Sequence, residues 1–320
     1  MANIMKNKKD SKNLISIIFT KFFRIKDAFK WSLISFIGFI LGVSVLSLNE
    51  YIIPFFVFIF TTFCVMAFTF AINNYYDAKS DKINPRRENI NAISSGQISR
   101  IAAISLLLLL VIIPLLISFF YRFEIFIFCL FLLFLGWTYS APPFRTKNIP
   151  VIDVIWHFIG FFSYILWGSL VSGGSIYYGS IPLVIWLMAV SIGIFSSIGQ
   201  VGNHISDYSS DKETGTITFA VWAGLNKSKI TINILTLIHL IVLVPLIFFY
   251  TIDYLTSFLF FIAIAILGLI ILKPRRGVFP SKNCWVFYFS IVIGGAVYVS
   301  ILIYHIYTLL NVLPFDIIKI

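Results

Sequence analysis

Long apolar runs alternate with short polar connectors along most of the chain. Nine runs have 17 to 25 residues each, and they cover 30–48, 52–72, 101–120, 123–139, 151–171, 181–201, 230–249, 254–272 and 285–309. A helix of about 20 apolar residues crosses the hydrocarbon core of a bilayer and satisfies its own backbone hydrogen bonds there. The pattern therefore predicts an all-α, polytopic membrane protein with nine transmembrane helices.

The overall composition excludes an ordinary soluble domain. Of the 320 residues, 59% are hydrophobic and only 12% are charged, whereas soluble domains carry about 25% charged residues. The mean hydropathy is +0.97. These values indicate an integral protein of the cell membrane.

The basic residues favour one side of the predicted spans. Of the 24 Lys and Arg residues, all but Arg122 and Lys319 fall on the side that holds the N-terminus. The positive-inside rule therefore predicts a cytoplasmic N-terminus and an outside C-terminus. Because the net charge of +11 follows this sidedness, it indicates contact with anionic lipid headgroups rather than nucleic acid. The sequence implies no protein partner.

The N-terminal segment, residues 1–27, differs in character from the predicted transmembrane domain, residues 28–320. Residues 12–27, "KNLISIIFTKFFRIKD", mix bulky apolar side chains with four basic residues. That mixture is typical of an amphipathic helix lying in the membrane interface. Residues 1–11 are predicted to form a disordered basic tail.

Two polar stretches share one pattern and each follows an apolar run. They read "NNYYDAKSD" at 73–81 and "NHISDYSSD" at 203–211. The first contains Asn73, Asp77 and Asp81, which we call the first strip, and the second contains Asn203, Asp207 and Asp211, which we call the second strip. A spacing of four residues drifts only about 40° around a helix and climbs roughly 6 Å, so each strip shares one helix face. The repeat suggests two helix bundles facing each other around a central cavity.

Four aspartates facing one cavity would repel one another unless their charge were compensated. Divalent cations would hold the carboxylates ionised and close together. Hard oxygen ligands favour magnesium, which is usually held by one or two carboxylates and by substrate phosphates. The strips therefore predict two magnesium ions clamping a diphosphate. The alternative is that these are solvated loop carboxylates beside lysines.

The residues resemble the UbiA superfamily of intramembrane prenyltransferases. Its first motif reads N-D-x-x-D-x-x-x-D and its second D-x-x-x-D, and the positions after the second and sixth spans match this chain. "YSAPPFRTK" at 139–147 is similar to a Tyr and Lys segment near the family's cavity mouth. One departure is Asn74, which stands where the family commonly has Asp.

The resemblance implies transfer of a prenyl group from an allylic prenyl diphosphate to a lipophilic acceptor, with Mg²⁺ as cofactor. The acceptors used in the family are quinone precursors, chlorophyll-type tetrapyrroles, carotenoids and glycerol lipids. The residues implied as catalytic are Asp77, Asp81, Asp207 and Asp211, and the metal ligands are these four with Asn73 and Asn203.

The leaving diphosphate would need cations close to it, because it departs with several negative charges. The candidates are Arg86, Lys147 and Lys212. The resemblance adds Tyr139, and it leaves open whether Arg145 or Lys147 is the counterpart of the family's lysine. Both basic residues could instead be anchors on the positive side of the membrane.

The sequence also suggests roles for two further polar residues and one alternative class of protein. His204 could accept a proton from the acceptor, or be a hydrogen-bonded neighbour of Asn203. Asp153 is expected to pair with Arg145 or Lys147. A cation-coupled transporter with repeated halves is the alternative function, although both acidic stretches are predicted at one membrane face rather than near the midplane.

Overall fold

The structure is a computed structural model that describes residues 14–44, 48–83, 89–249 and 285–312. All regular elements in these ranges are helical. The α-helices are α1 Ile25–Gly42, α2 Leu48–Ile83, α3 Arg100–Tyr121, α4 Phe123–Ser140, α5 Pro150–Val171, α6 Leu183–Ser206, α7 Tyr208–Thr214, α8 Phe219–Ala223, α9 Leu225–Phe249 and α10 Trp285–Val312. The chain is thus an all-α membrane protein, as the sequence predicts.

Seven of these helices are long and apolar enough to cross a membrane, namely α2 to α6, α9 and α10. They coincide with seven of the nine predicted spans. The predicted first span corresponds to α1, which begins at Ile25 rather than at residue 30 and carries Lys26, Asp27 and Lys30 near its start. The predicted eighth span, 254–272, lies outside the described residues, as do the predicted basic tail, residues 1–11, and the first two residues of the predicted amphipathic helix.

The surface of α3 shows why these helices suit a lipid environment. Its exposed side chains are large and apolar, and they include Ile101, Leu108, Ile112, Leu116 and Phe120. The opposite face is buried, and it includes the small residue Ala103 and a proline within the helix, Pro114. Proline is tolerated within membrane helices when neighbouring groups satisfy the freed backbone atoms.

The described residues belong to two compact units. Unit 1 takes its residues from Met1–Ser35 and Ile53–Arg145, and unit 2 from Phe36–Ile52 and Thr146–Ile320. In unit 1, α3 packs against α4. The part of the N-terminal segment that the structure describes also belongs to unit 1, where residues 14–22 are helical and Ile18–Phe22 form a π-helix.

Unit 2 is built around the pairing of α6 with α5 and α9. Its buried apolar cluster includes Ile194, Ile198, Val201 and Ile205, which lie on one face of the second half of α6. A cluster of this kind stabilises the end of α6, because its side chains fill the space between the helices at close-packed density. The second strip begins directly beside this cluster, at Asn203.

Helix α2 is much longer than a bilayer core requires. Its 36 residues give a length of about 54 Å, whereas the hydrocarbon core is about 30 Å thick. A span that starts near Leu48 is complete well before residue 73. The last turns of α2 can therefore carry the polar first strip beyond the hydrocarbon region, which is what the sequence predicts.

The positive-inside distribution predicts which end of α6 faces the cytoplasm, and cysteine labelling tests this prediction. Ser209 follows the C-terminal end of α6 and Tyr178 precedes its N-terminal end, and both are exposed. In a variant with Cys284 replaced by Ser, Tyr178→Cys should react with a membrane-impermeant maleimide on intact cells. Ser209→Cys should react only after permeabilisation. Reaction of Ser209→Cys on intact cells would reverse the predicted orientation.

Candidate active site

The first strip lies on the final turns of α2, on one helix face. Asn73 is half-buried, while Asp77 and Asp81 are each only 9% exposed. Charged side chains are seldom buried to this degree without compensating partners. The neighbours of these two carboxylates therefore decide what the strip can do.

Arg145 compensates the charge of Asp77. Its guanidinium Nη2 lies 2.8 Å from Asp77 Oδ1, and both residues belong to unit 1. Arg145 follows α4 with a positive φ of 39°, and its Nε is buried without a hydrogen-bond partner in the part of the chain that the structure describes. The sequence left Arg145 and Lys147 open as counterparts of one cation, and the structure places Arg145 at a strip carboxylate.

Ser140 brings the end of α4 to the start of the first strip. Its hydroxyl donates to Asn73 Oδ1 at 3.3 Å. Ser140 and Arg145 come from "YSAPPFRTK", so this segment supplies two contacts to the strip. Sequence reasoning identified the segment but not Ser140, because a serine beside a tyrosine does not indicate which distant residue it will contact.

Asp81 is held by an asparagine from the following loop. Asn91 Nδ2 donates to Asp81 Oδ2 at 2.9 Å. One carboxylate oxygen of Asp81 is thus fixed by the loop. Asn91 lies within the polar stretch "NPRRENINAISSGQIS", and its asparagine content was the only sequence signal that could have identified it.

The second strip differs from the first in backbone and exposure. Helix α6 ends at Ser206, and Asp207 joins it to α7 with φ −92° and ψ 3°. The helical spacing nevertheless persists, because Asp207 N donates to Asn203 O at 2.9 Å and Asp211 N donates to Asp207 O at 2.8 Å. The predicted single helix is therefore wrong in detail at Asp207. Asn203 and Asp207 are exposed, and Asp211 is half-buried.

A buried polar cluster fixes the end of α6 to the start of α5. Asp153 is only 1% exposed, and its Oδ2 lies 3.0 Å from His204 Nε2 and accepts from Gln200 Nε2 at 2.7 Å. Ser197 Oγ also donates to the carbonyl of Val154 at 2.9 Å. These contacts hold the turn that carries Asn203. His204, the next residue in the chain, contacts Asp153 and Gln200.

Asp153 therefore has different partners from those expected from the sequence. His157 completes its surroundings, with Nδ1 3.5 Å from Asp153 Oδ1, and Arg145 pairs with Asp77 instead. The signal for this cluster was the i, i+4 spacing of Gln200 and His204, which places both on one face of α6. Sequence reasoning missed it because Asp153 lies on a different helix.

The remaining candidates for diphosphate binding are spread over both units. Tyr139 is half-buried in the last turn of α4 in unit 1, and Lys147 is half-buried in the 3₁₀ turn Thr146–Asn148 of unit 2. Lys212 is exposed on α7, with Nζ 6.0 Å from the ring centre of Tyr208. Arg86 lies outside the described residues. The binding roles of all four stay predictions.

The oxygen groups of the first strip fit a hard divalent cation that is shared with a substrate. The described residues within each unit contain no group of three or more His, Cys, Asp and Glu that could hold a metal alone. Magnesium is commonly held by one or two carboxylates together with substrate phosphates. Asp77 and Asp81 supply two carboxylates on one face of α2.

Comparisons with known proteins identify relatives over most of the chain. The family model described as the UbiA prenyltransferase family matches residues 33–292. A UbiA homolog from Archaeoglobus fulgidus, in a structure bound to GPP and Mg²⁺, is 20% identical with a TM-score of 0.65, and the match covers 91% of this chain and 99% of that chain. A structure of a UbiA homolog from the same organism bound to DMAPP and Mg²⁺ gives 21% identity and a TM-score of 0.64, with 92% and 99% coverage.

A third structure comes from work on digeranylgeranylglyceryl phosphate synthase in membranes. It is 19% identical, with a TM-score of 0.63, and the match covers 89% of this chain and 97% of that chain. A search of curated protein sequences gave no significant match. At these identities the solved structures establish a shared fold.

The Asp153 cluster generates a prediction about stability. Asp153→Ala leaves the half-buried Gln200 and the buried His204 without their shared acceptor, and each such loss costs about 1–3 kcal/mol. We expect the thermal midpoint of the detergent-solubilised protein to fall by several degrees. The matched control is Asp27→Ala, which removes an ion pair with Arg24 that is about two-fifths exposed and should cost about 1 kcal/mol or less. Equal midpoints for the two variants would contradict the clamping role of Asp153.

Proposed function

Because the chain belongs to the UbiA prenyltransferase family, we propose that it transfers a prenyl group from an allylic prenyl diphosphate to a lipophilic acceptor within the membrane and releases diphosphate. The observation that carries this proposal is the pair of buried carboxylates, Asp77 and Asp81, at the polar end of a membrane-spanning helix. A compensating Arg145 lies 2.8 Å from the first of them. Such a site suits a charged headgroup joined to an apolar tail.

The two strips would hold Mg²⁺ through their oxygen atoms. The proposed ligands are Asn73, Asp77, Asp81, Asn203, Asp207 and Asp211. Bound Mg²⁺ supplies neutralisation of the negative charge that develops on the leaving diphosphate. The homologs from Archaeoglobus fulgidus that bind GPP or DMAPP do so together with Mg²⁺, which supports the same cofactor here.

Arg145 has two tasks in this proposal. Without substrate it holds the Asp77 carboxylate in place at 2.8 Å and offsets its charge. An arginine presents several donors in a planar fork that matches phosphate oxygens, and its Nε has no hydrogen-bond partner among the described residues. Arg145 can therefore also donate to the diphosphate, with Lys147, Lys212, Arg86 and Tyr139 as further candidates.

The reaction itself breaks the bond between the first prenyl carbon and the diphosphate oxygen. The electron pair leaves with the diphosphate, and the acceptor then forms a new bond to the allylic cation and loses a proton. Apolar surroundings in the bilayer protect that cation from water. The proposed acceptor classes are a quinone precursor, a chlorophyll-type tetrapyrrole, a carotenoid and a glycerol lipid.

The site is proposed to open toward the cytoplasm. From the positive-inside distribution we expect both strips on that face, with the N-terminus on the same side and the C-terminus outside. Soluble prenyl diphosphates would reach the strips from the cytoplasm, while the acceptor would arrive through the lipid. This arrangement separates the two substrates by their solubility.

The proposal predicts that the strip carboxylates are required for turnover. Purified membranes should release diphosphate and form a prenylated product only with Mg²⁺, and a chelator should stop both until Mg²⁺ is restored. Asp77→Asn and Asp207→Asn should each reduce activity by about 100-fold or more, since each removes a charge that holds the cation. Mass spectrometry of products from supplied acceptors measures the activity and identifies the acceptor.

Glu124→Gln is the control for that experiment. Glu124 is another carboxylate at a helix end, 3.9 Å from Arg122, and it lies in neither strip, so its variant should keep normal turnover. Normal turnover in Asp77→Asn or Asp207→Asn would contradict the proposal. Cation-driven uptake into sealed vesicles without any prenylated product would favour a transporter.

A further inference from the structure

Asn91 makes an unusually complete set of hydrogen bonds around the first strip. It is 2% exposed, and its Nδ2 donates both to Asp81 Oδ2 at 2.9 Å and to the carbonyl of Asn74 at 2.8 Å. Its Oδ1 accepts from Ile93 N at 3.0 Å. Only one orientation of the amide satisfies two acceptors and one donor together. The side chain is thus locked while it points at a proposed metal ligand.

Asn74 continues this network toward the N-terminus. It is 8% exposed, and its Nδ2 donates to the carbonyls of Lys21 and Phe22 at 2.9 and 3.1 Å. An aspartate, which the resembling family commonly has at this position, has no donor for two carbonyls when ionised. The departure at Asn74 therefore has a physical purpose in this chain, since it binds the backbone of the N-terminal segment.

Further contacts fasten the described part of the N-terminal segment to the rest of unit 1. Lys21 Nζ donates to the carbonyl of Asn89 at 3.0 Å and to Gln97 Oε1 at 2.9 Å, which are in the same loop as Asn91. Phe22 is fully buried. The guanidinium of Arg24 lies 4.7 Å from the ring centre of Phe70. The segment thus touches both α2 and the loop that holds Asp81.

We propose that Asn91 is a positioning residue for Asp81 and that the N-terminal segment, through Asn74, forms part of the wall of the metal site. This inference rests on the proposed function, because it assigns Asp81 to a metal. The Asn74 side chain donates to the carbonyls of Lys21 and Phe22. Asn91 donates both to the backbone carbonyl of Asn74 and to Asp81 Oδ2. Displacing the segment would therefore move the fixed oxygen of Asp81 and weaken metal binding.

Metal affinity tests the inference without requiring turnover. Mn²⁺ binding to the purified full-length protein can be followed by the loss of the free-ion EPR signal in the presence of inorganic diphosphate. Each titration is compared with the same Mn²⁺ and diphosphate without protein, because diphosphate alone also removes part of the free-ion signal. Asn91→Ala and Asn74→Asp should each raise the Mn²⁺ Kd by about 10-fold or more, the usual effect of removing a group that orients a ligand. A purely structural role would lower the thermal midpoint and leave the Mn²⁺ Kd unchanged.

The N-terminal segment provides a second pair of variants, which keeps the test decisive if a buried asparagine variant does not fold. Lys21→Met removes the contacts with Asn89 and Gln97 and should raise the Mn²⁺ Kd by a smaller factor. It should also speed tryptic cleavage after Arg24, as should Asn74→Asp. Lys26→Met is the matched control, because Lys26 is exposed on α1, and it should behave as the wild type.

The possible outcomes separate this inference from the proposed function. If the wild type binds Mn²⁺ and all three variants bind it with the same Kd, the positioning role is overturned and the metal site stands. If the wild type binds no Mn²⁺ with diphosphate present, the proposed metal site itself fails, and the inference fails with it. Raised Kd values with faster cleavage after Arg24 would support both.

Discussion

The cost of burying carboxylates at the edge of a membrane governs the polar part of this structure. An ionised carboxylate without partners is strongly disfavoured in an apolar setting. Asp77, Asp81 and Asp153 are nevertheless almost fully buried, and each has a defined partner: Arg145, Asn91 and the pair of Gln200 and His204. These partners fix the positions of the carboxylates, because a buried carboxylate that loses its hydrogen-bond donor destabilises the fold.

The two strips use this constraint differently. In unit 1, partners contact the strip itself, so Asp77 and Asp81 are held directly and remain largely shielded. In unit 2, the buried cluster joins Asp153 on α5 to Gln200 and His204 on α6, while Asn203 and Asp207 are exposed. The carboxylates of the first strip are thus largely shielded, whereas Asn203 and Asp207 of the second strip are accessible.

The sequence predicted the features that repeat along a helix and missed those that depend on contacts between distant segments. Apolar run length located seven membrane helices, and the spacing of four residues placed Asn73, Asp77 and Asp81 on one face of α2. Lys21 and Phe22, which accept from Asn74, lie more than 50 positions earlier in the chain. Gln200 and His204 lie more than 40 positions after Asp153. No local pattern specifies such pairs. The irregular backbone at Asp207 was missed for a related reason, because an apolar pattern does not show where the last helical turn loosens.

In the proposed function, both strips bind metal ions around one diphosphate. EPR of the protein with Mn²⁺ and inorganic diphosphate tests it most directly, because two Mn²⁺ ions bridged by one diphosphate interact magnetically and give a spectrum unlike that of isolated ions. The account predicts that coupled spectrum for the wild type and its replacement by an isolated-ion spectrum when either Asp77 or Asp207 is changed to Asn. Isolated ions in the wild type, or coupling that survives both substitutions, would contradict it.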